Sequence, residues 1–181
     1  MVFLAADIGG THARLLLARA GATGWQCIRE QTFAGHDYPS FQAVLELFLN
    51  SGERPAVACI AVAGPLDGQH IQMTNLPWQL DAAQLSEQFA ITTLRLLNDF
   101  AAQTYALNAL PASDLCTLQV GVPQAGGVRA LMGAGTGLGM ALLVPNAGQW
   151  QALASQGGLA DFAPQGAEQL ALCQALQSAY G

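Results

Sequence analysis

Three apolar stretches of strand length open the chain: Val2 to Asp7, Ala13 to Arg19 and Gln26 to Phe33. Gly9-Gly10 and the segment from Gly21 to Gly24 separate them, and glycines between apolar runs mark turns, so the three predict an antiparallel meander. After Pro39, residues Phe41, Val44, Leu45, Phe48 and Leu49 recur at helical spacing. With Ser40 as an opening cap and Gly52 near the close, they predict a helix over 40–49. Ala56 to Ala63 is an unbroken apolar run ended by Gly64-Pro65, the pattern of a strand buried on both faces. A hairpin-like piece around Asp67-Gly68 follows. Asp81 to Phe89 then reads as a short helix opened by an acidic residue, Thr92 to Leu97 as a strand, and Phe100 to Leu110 as a helix stopped by Pro111. Strands alternating with helices behind a meander predict an α/β fold, a mixed sheet in the order βββαβαβα with helices packed against it.

From about Cys116 the strand-like pieces return, at Cys116 to Val120, Val128 to Met132, Leu138 to Val144 and Gln149 to Leu153, before a helical stretch from Ala167 to Tyr180. The restart predicts a first lobe over residues 1–112 and the beginning of a second over 113–181. Composition narrows the function. Charged residues make up 10% of the chain and the net charge is -6, against roughly 25% charged in an ordinary soluble protein. The chain is thus too apolar for disorder and too acidic for nucleic acid. All six basic residues are arginines, and without lysine neither a P-loop nor a Schiff-base mechanism can operate. The four cysteines form no C-x-x-C pair and are expected as reduced, buried thiols. No positive segment precedes the first apolar run, and Gly or Pro interrupts every such run well short of ~20 residues. A cytoplasmic location without membrane contact is expected.

Three segments carry candidate chemistry. Asp7-Ile8-Gly9-Gly10-Thr11 lies between two strands. Paired glycines allow backbone N–H groups to approach an anion, and the carboxylate at the strand end can hold a divalent metal through water; an ordinary hairpin turn is the other reading. Gly133-Ala134-Gly135-Thr136-Gly137-Leu138-Gly139 does not fit the G-x-G-x-x-G pattern, because Leu138 stands where the last glycine belongs and a strand-like stretch follows, so a dinucleotide-binding fold is a poor reading. It suits either a hairpin wrapping a phosphate or a plain glycine-rich turn. Asn98-Asp99 falls between a strand and a helix, where it can cap the helix, or present a general base at the carboxyl end of a sheet strand, or both.

In combination these segments resemble a known family. DIGGTHARL is similar to a phosphate-1 motif, GPLDGQHIQMTNLPW to a sugar-proximal segment, LLNDF to a catalytic strand end and GAGTGLG to a phosphate-2 motif. From residue 2 to about 164 the chain is similar to bacterial-type glucokinases, sugar kinases of the actin and hexokinase superfamily. The resemblance implies a ribonuclease H-like, actin-like ATPase lobe followed by the start of a second similar lobe. The implied reaction is transfer of a phosphoryl group from Mg-ATP to the 6-hydroxyl of glucose, the step that opens glycolysis. Asp99 would be the base, and Asn98, Thr74, Asn75 and Gln156 would bind the sugar. Gly9, Gly10, Thr11, Gly133, Gly135, Thr136 and Gly137 would meet the nucleotide phosphates, and Asp7 would orient Mg2+. Glucose and ATP are the implied partners, with a homodimer left open.

The chain departs from the family's pattern at Gln156 and Leu159, where the family normally has Glu and His. A sugar hydroxyl without its partner at Leu159 loses roughly 1–3 kcal/mol, which bears on which hexose is taken. His12 stands where asparagine is common, with no role assigned. Trp25, Trp78 and Trp150 read as packing residues, Trp78 also as a shaper of the sugar pocket. Family members extend well beyond 181 residues, so a fragment or truncated product is expected. A non-catalytic sugar-binding or regulatory module, and an actin-like nucleotide-binding scaffold, are the alternatives.

Overall fold

Residues 1–22, 24–50, 52–135 and 137–180 are described by the computed structural model. In chain order its first elements are β1 (Val2–Ile8), β2 (His12–Gly21), β3 (Gly24–Ala34), α1 (Phe41–Leu49), β4 (Val57–Val62), the short pair β5 (His70–Gln72) and β6 (Gln79–Asp81), α2 (Ala82–Phe89), β7 (Thr93–Asn98) and α3 (Asp99–Ala106). The first three strands form the expected antiparallel meander. Beyond β1 the sheet continues with two parallel strands, giving the order β3-β2-β1-β4-β7.

Both helices over the sheet start as their sequences dictate. The Ser40 hydroxyl accepts the Ala43 N–H at 3.2 Å, and Asp81 Oδ1 accepts the N–H groups of Ala83 and Gln84 at 2.8 and 3.0 Å; each cap satisfies donors that the first helical turn leaves open. The whole predicted stripe of α1 is buried. It meets Leu4, Ile8, Leu15 and Leu17 of the meander, Ile60 of β4, Leu96 of β7 and Leu85 of α2 in one core. Removing a large side chain such as Phe48 from such a core costs about 3–5 kcal/mol.

A second sheet follows, built from β8 (Arg129–Ala134), β9 (Leu138–Asn146) and β10 (Gln149–Ser155) in the antiparallel order β10-β9-β8. The last helix, α4 (Gly166–Tyr180), buries none of its residues. α3 joins the two sheets: it leaves the end of β7 and lies against β9 and β10. The Tyr105 hydroxyl on α3 accepts the Ala152 N–H at 3.1 Å.

Several expectations need correction. Cys116 to Val120 is not a strand; the segment is irregular, and Leu118 and Val120 are 94% and 88% exposed. An apolar run of that length becomes a strand only against a partner, and here β8 pairs with β9 instead. α3 ends at Ala106, short of Leu110. The cysteines are not buried: Cys27, Cys59 and Cys116 are exposed and Cys173 is intermediate. Cys59 also shows that β4 is not buried on both faces, because α1 and α2 cover one face of the sheet only. Trp25 is 61% exposed rather than packed, whereas Trp78 is fully buried, with its indole N–H on the Tyr38 carbonyl at 3.0 Å. Trp78 therefore braces the core beneath α1 rather than shaping a pocket wall.

The outer edge of β7 is closed by one side chain. Leu96 N–H donates to Gln69 Oε1 at 2.9 Å, and Gln69 Nε2 donates to the Leu96 carbonyl at 3.3 Å, so a carboxamide stands in for a sixth strand. Gln69→Ala should lower the unfolding free energy by about 1–3 kcal/mol, because both groups of Leu96 lose their partner. Urea unfolding checks this as a lower midpoint at unchanged slope.

Candidate active site

β1, β4 and β7 run parallel, and their registers align Ile8 with Val62 and Val62 with Asn98. Their carboxyl ends therefore finish level, and the residues that follow each strand emerge along one sheet edge, where ligands of parallel α/β sheets bind. Hydrogen bonds tie these exits together. Ala63 N–H donates to the Ile8 carbonyl at 3.0 Å, and the Asn98 side-chain amide donates to the Gly64 carbonyl at 3.2 Å.

Asn98 and Asp99 are held by one another and by the helix they start. Asn98 Oδ1 accepts the Ala101 N–H at 3.1 Å, capping α3. Asn98 Nδ2 and the Phe100 N–H both donate to Asp99 Oδ1, each at 2.9 Å. Oδ2 takes no part in either bond, so the carboxylate is fixed through one oxygen while the residue faces a cleft. The capping and base readings of this pair are compatible, because Asn98 does the capping and Asp99 sits one residue later.

That cleft measures about 390 Å3. Of the residues singled out from the sequence, Gly9, Gly10, Asn75, Asn98, Asp99, Gly135, Gly137 and Gln156 line it. A Cβ on Gly10 would come within 2.9 Å of Asn75 Nδ2, so the turn approaches that amide as only glycine permits. The others stand apart. Thr74 is exposed beside Asn75 but outside the lining. Thr11 pairs its hydroxyl with His12 Nδ1 at 2.9 Å and its carbonyl with the Gly35 N–H at 2.7 Å. Gly133 lies under the Phe100 ring rather than on the cleft wall. Thr136 lies outside the described residues. Sequence reasoning assigned no role to Phe100, Met140 and Ser155, which also line the cleft, and it gave Leu159 no contact although that residue stands at its rim, 81% exposed. The pairing of Gly133 with Gly139 was the available signal for Phe100. A second cavity of about 410 Å3, with Pro65, Leu66 and Ala154 in its wall, adjoins the cleft through Asn98 and Gln156.

Asp7 lies outside the cleft lining but within electrical reach of it. Lost hydration, and secondarily the charge of Asp99, push its carboxyl pKa above the ordinary value, while Arg14 pulls the other way. Two mutually repelling carboxylates with hard oxygen donors fit Mg2+, which takes one or two protein carboxylates and fills its shell with water and phosphate oxygens. Among the described residues no group of three His, Cys, Asp or Glu side chains forms a metal cage. Chemically, the cleft sets a carboxylate that can take a proton beside carboxamides that can orient hydroxyls, and in the same lining glycine turns that a ligand can approach closely, each locked by its own bond: Gly9 N–H to the His12 carbonyl at 2.9 Å and Gly135 N–H to the Gly137 carbonyl at 2.8 Å.

The raised pKa of Asp7 has a thermodynamic sign. The folded state holds this proton more tightly than the unfolded chain, so the stability it contributes is complete below the ordinary carboxylate pKa and is lost as pH rises through the folded value. Asp7→Asn should therefore raise Tm at pH 7 in metal-free buffer, and the advantage should shrink toward pH 4, as scanning calorimetry at several pH values would record.

Comparison with known proteins identifies the family of the chain. The family model for glucokinase matches residues 4–181. A glucokinase of Trichormus variabilis is 39% identical over 167 residues, 90% of this chain and 49% of its own length. The crystal structure of a glucokinase from an Antarctic psychrotroph superposes with a TM-score of 0.85 at 32% identity, covering 99% of this chain and 57% of that one. A glucokinase from Balamuthia mandrillaris, solved in complex with glucose, superposes at 0.73 with 23% identity over 97% of this chain and 53% of its own, a likeness of fold. This chain thus spans about half the length of the curated relatives it matches. The expected actin-like α/β fold and the resemblance noted in the sequence both hold, and the chain belongs to the glucokinase family.

Proposed function

We propose that this chain carries the base, the sugar-binding residues and part of the phosphate-binding loops of an ATP-dependent hexokinase that phosphorylates the 6-hydroxyl of glucose. One observation carries the reading: Asp99, fixed through Oδ1, shares a single cleft with the Gly9-Gly10 turn and the glycines at 135 and 137. Asp99 accepts the proton of the attacking hydroxyl, which raises the nucleophilicity of the oxygen at the moment of transfer. Asn98, Asn75 and Gln156 orient the neighbouring hydroxyls, and a correctly placed alcohol is the larger part of phosphoryl-transfer catalysis. The Gly9-Gly10 turn on one side and the glycines at 135 and 137 on the other approach the phosphate chain, the Gly9 and Gly135 N–H groups closing their own turns onto the His12 and Gly137 carbonyls; Thr11, Gly133 and Thr136 belong to the same phosphate-binding set, and Thr74 to the sugar-binding one.

Asp7 would hold Mg2+, which when bound offsets the negative charge on the phosphate oxygens. Residues 1–112 form the sugar-binding and catalytic lobe in this reading, and 113–181 begin the nucleotide-binding lobe. Glucose and ATP are the partners, and the reaction belongs in the cytoplasm at the entry to glycolysis; among the described residues no helix is long and apolar enough to cross a membrane. The neutral Gln156 and the apolar Leu159 at the rim make hexose choice the property in which this chain should differ from its relatives. A purely sugar-binding module is disfavoured, because it gives no reason for two glycine turns to face the same carboxylate.

Asp99→Asn keeps the size and the hydrogen bonds of the side chain but cannot take a proton. Turnover in a coupled assay of ADP release should fall by at least ~10²-fold, since a positioned base contributes roughly 10²–10⁴, while calorimetry should find glucose binding retained. Undiminished turnover would remove Asp99 from the role.

A further inference from the structure

Gly133 and Gly139 are direct partners in the β8–β9 ladder. Glycine weakens a strand interior and marks a close approach by another group, and the group here is the Phe100 ring. A Cβ on Gly139 would overlap the ring, and one on Gly133 would come within 3.1 Å of Cε1 and Cζ. The two glycines form one slot, with the ring seated in it. The same residue's backbone N–H donates to Asp99 Oδ1 at 2.9 Å. Phe100 therefore touches both halves of the cleft, the carboxylate through its backbone and the hairpin that carries Gly135 and Gly137 through its ring.

We propose that Phe100 is a positioning residue that couples the orientation of the Asp99 carboxylate to the placement of the 133–139 hairpin. The proposal rests on the functional reading above for its ligands, but not for its geometry. Its mechanism is mechanical. α3 is anchored at its N-terminus by the Asn98 cap, farther along to the second sheet by Tyr105 with Ala152, and just past its end by Asn108 with Arg129. A hairpin that shifts when a phosphate enters carries the slot with it. The seated ring draws the first turn of α3 with it, and with that turn the Phe100 N–H that holds Oδ1. Sugar and nucleotide sites become linked through a packed element with no side chain shared between the two ligands.

Two measurements on the 181-residue chain test this. In hydrogen exchange, Phe100→Ala should speed the amides of residues 130–140 by at least ~10-fold while the amides of β1 and β4 stay protected, the mark of local rather than global opening. Phe100→Leu should restore part of the protection. Gly139→Ala should give the same local acceleration by closing the slot, and adding Phe100→Ala to it should produce little more, because the two changes break one contact. Hairpin exchange unchanged to within about twofold in Phe100→Ala, or fully additive effects of the pair, overturns the proposal. In calorimetry, glucose should tighten binding of a non-hydrolysable ATP analogue, and Phe100→Ala should bring that factor close to one. Both ligands binding with the factor intact in the variant, or with no factor in the parent, overturns it as well. If the parent binds neither ligand, the exchange result alone decides whether Phe100 fastens the hairpin to α3.

Discussion

The level ending of three parallel strands is the constraint on which the site depends. Ile8, Val62 and Asn98 stand in register because the apolar faces of β1, β4 and β7 are all pressed against α1 and α2. A slip of one residue in β7 would turn Leu94 and Leu96 from the core to the opposite face. It would also displace Asp99 by about 3.3 Å along the strand, more than the length of a hydrogen bond. The core therefore sets the position of the carboxylate relative to the Gly9-Gly10 turn, and the Gln69 clamp on Leu96 keeps the outermost strand from fraying.

Much of this was legible in the residues because it is local. The α1 stripe, the Ser40 and Asp81 caps and the glycine turns are patterns over a few positions, and each forms where it was read. The cleft residues Gly9, Gly10, Asn98 and Asp99 share this property, since a turn or a strand end can be recognised without knowing what lies across from it. Where the reading failed, the missing information was tertiary. Whether Cys59 is buried depends on how many faces of β4 are covered, and whether Trp25 or Trp78 packs depends on which lies under α1. Cys116 to Val120 has strand composition and no partner strand. Phe100 was passed over for the same reason: its purpose exists only where two glycines more than thirty positions later meet across a ladder.

Asp7 carries a cost to stability at neutral pH. Its carboxyl is held above its ordinary pKa by lost hydration and by Asp99, an arrangement that an isolated fold has no use for. Raised pKa values of this kind, produced by like charges near a cleft, are a physical mark of functional sites. Arg14 offsets part of the repulsion, but it is also paired with Glu30, so its positive charge is shared.

The arginine-only basic complement has a consequence for how an anion reaches the cleft. No cationic side chain stands among the described residues that line it, and Arg14 and Arg19 are engaged with Glu30 and Glu53 at the surface. Binding there relies on oriented peptide dipoles, which act over a few ångströms and are weakly affected by dissolved ions, rather than on monopoles whose reach extends about 8–10 Å at ordinary ionic strength. In the proposed reading the net negative charge repels a triphosphate at long range, so capture should be slow at low ionic strength and should quicken as added salt screens the repulsion.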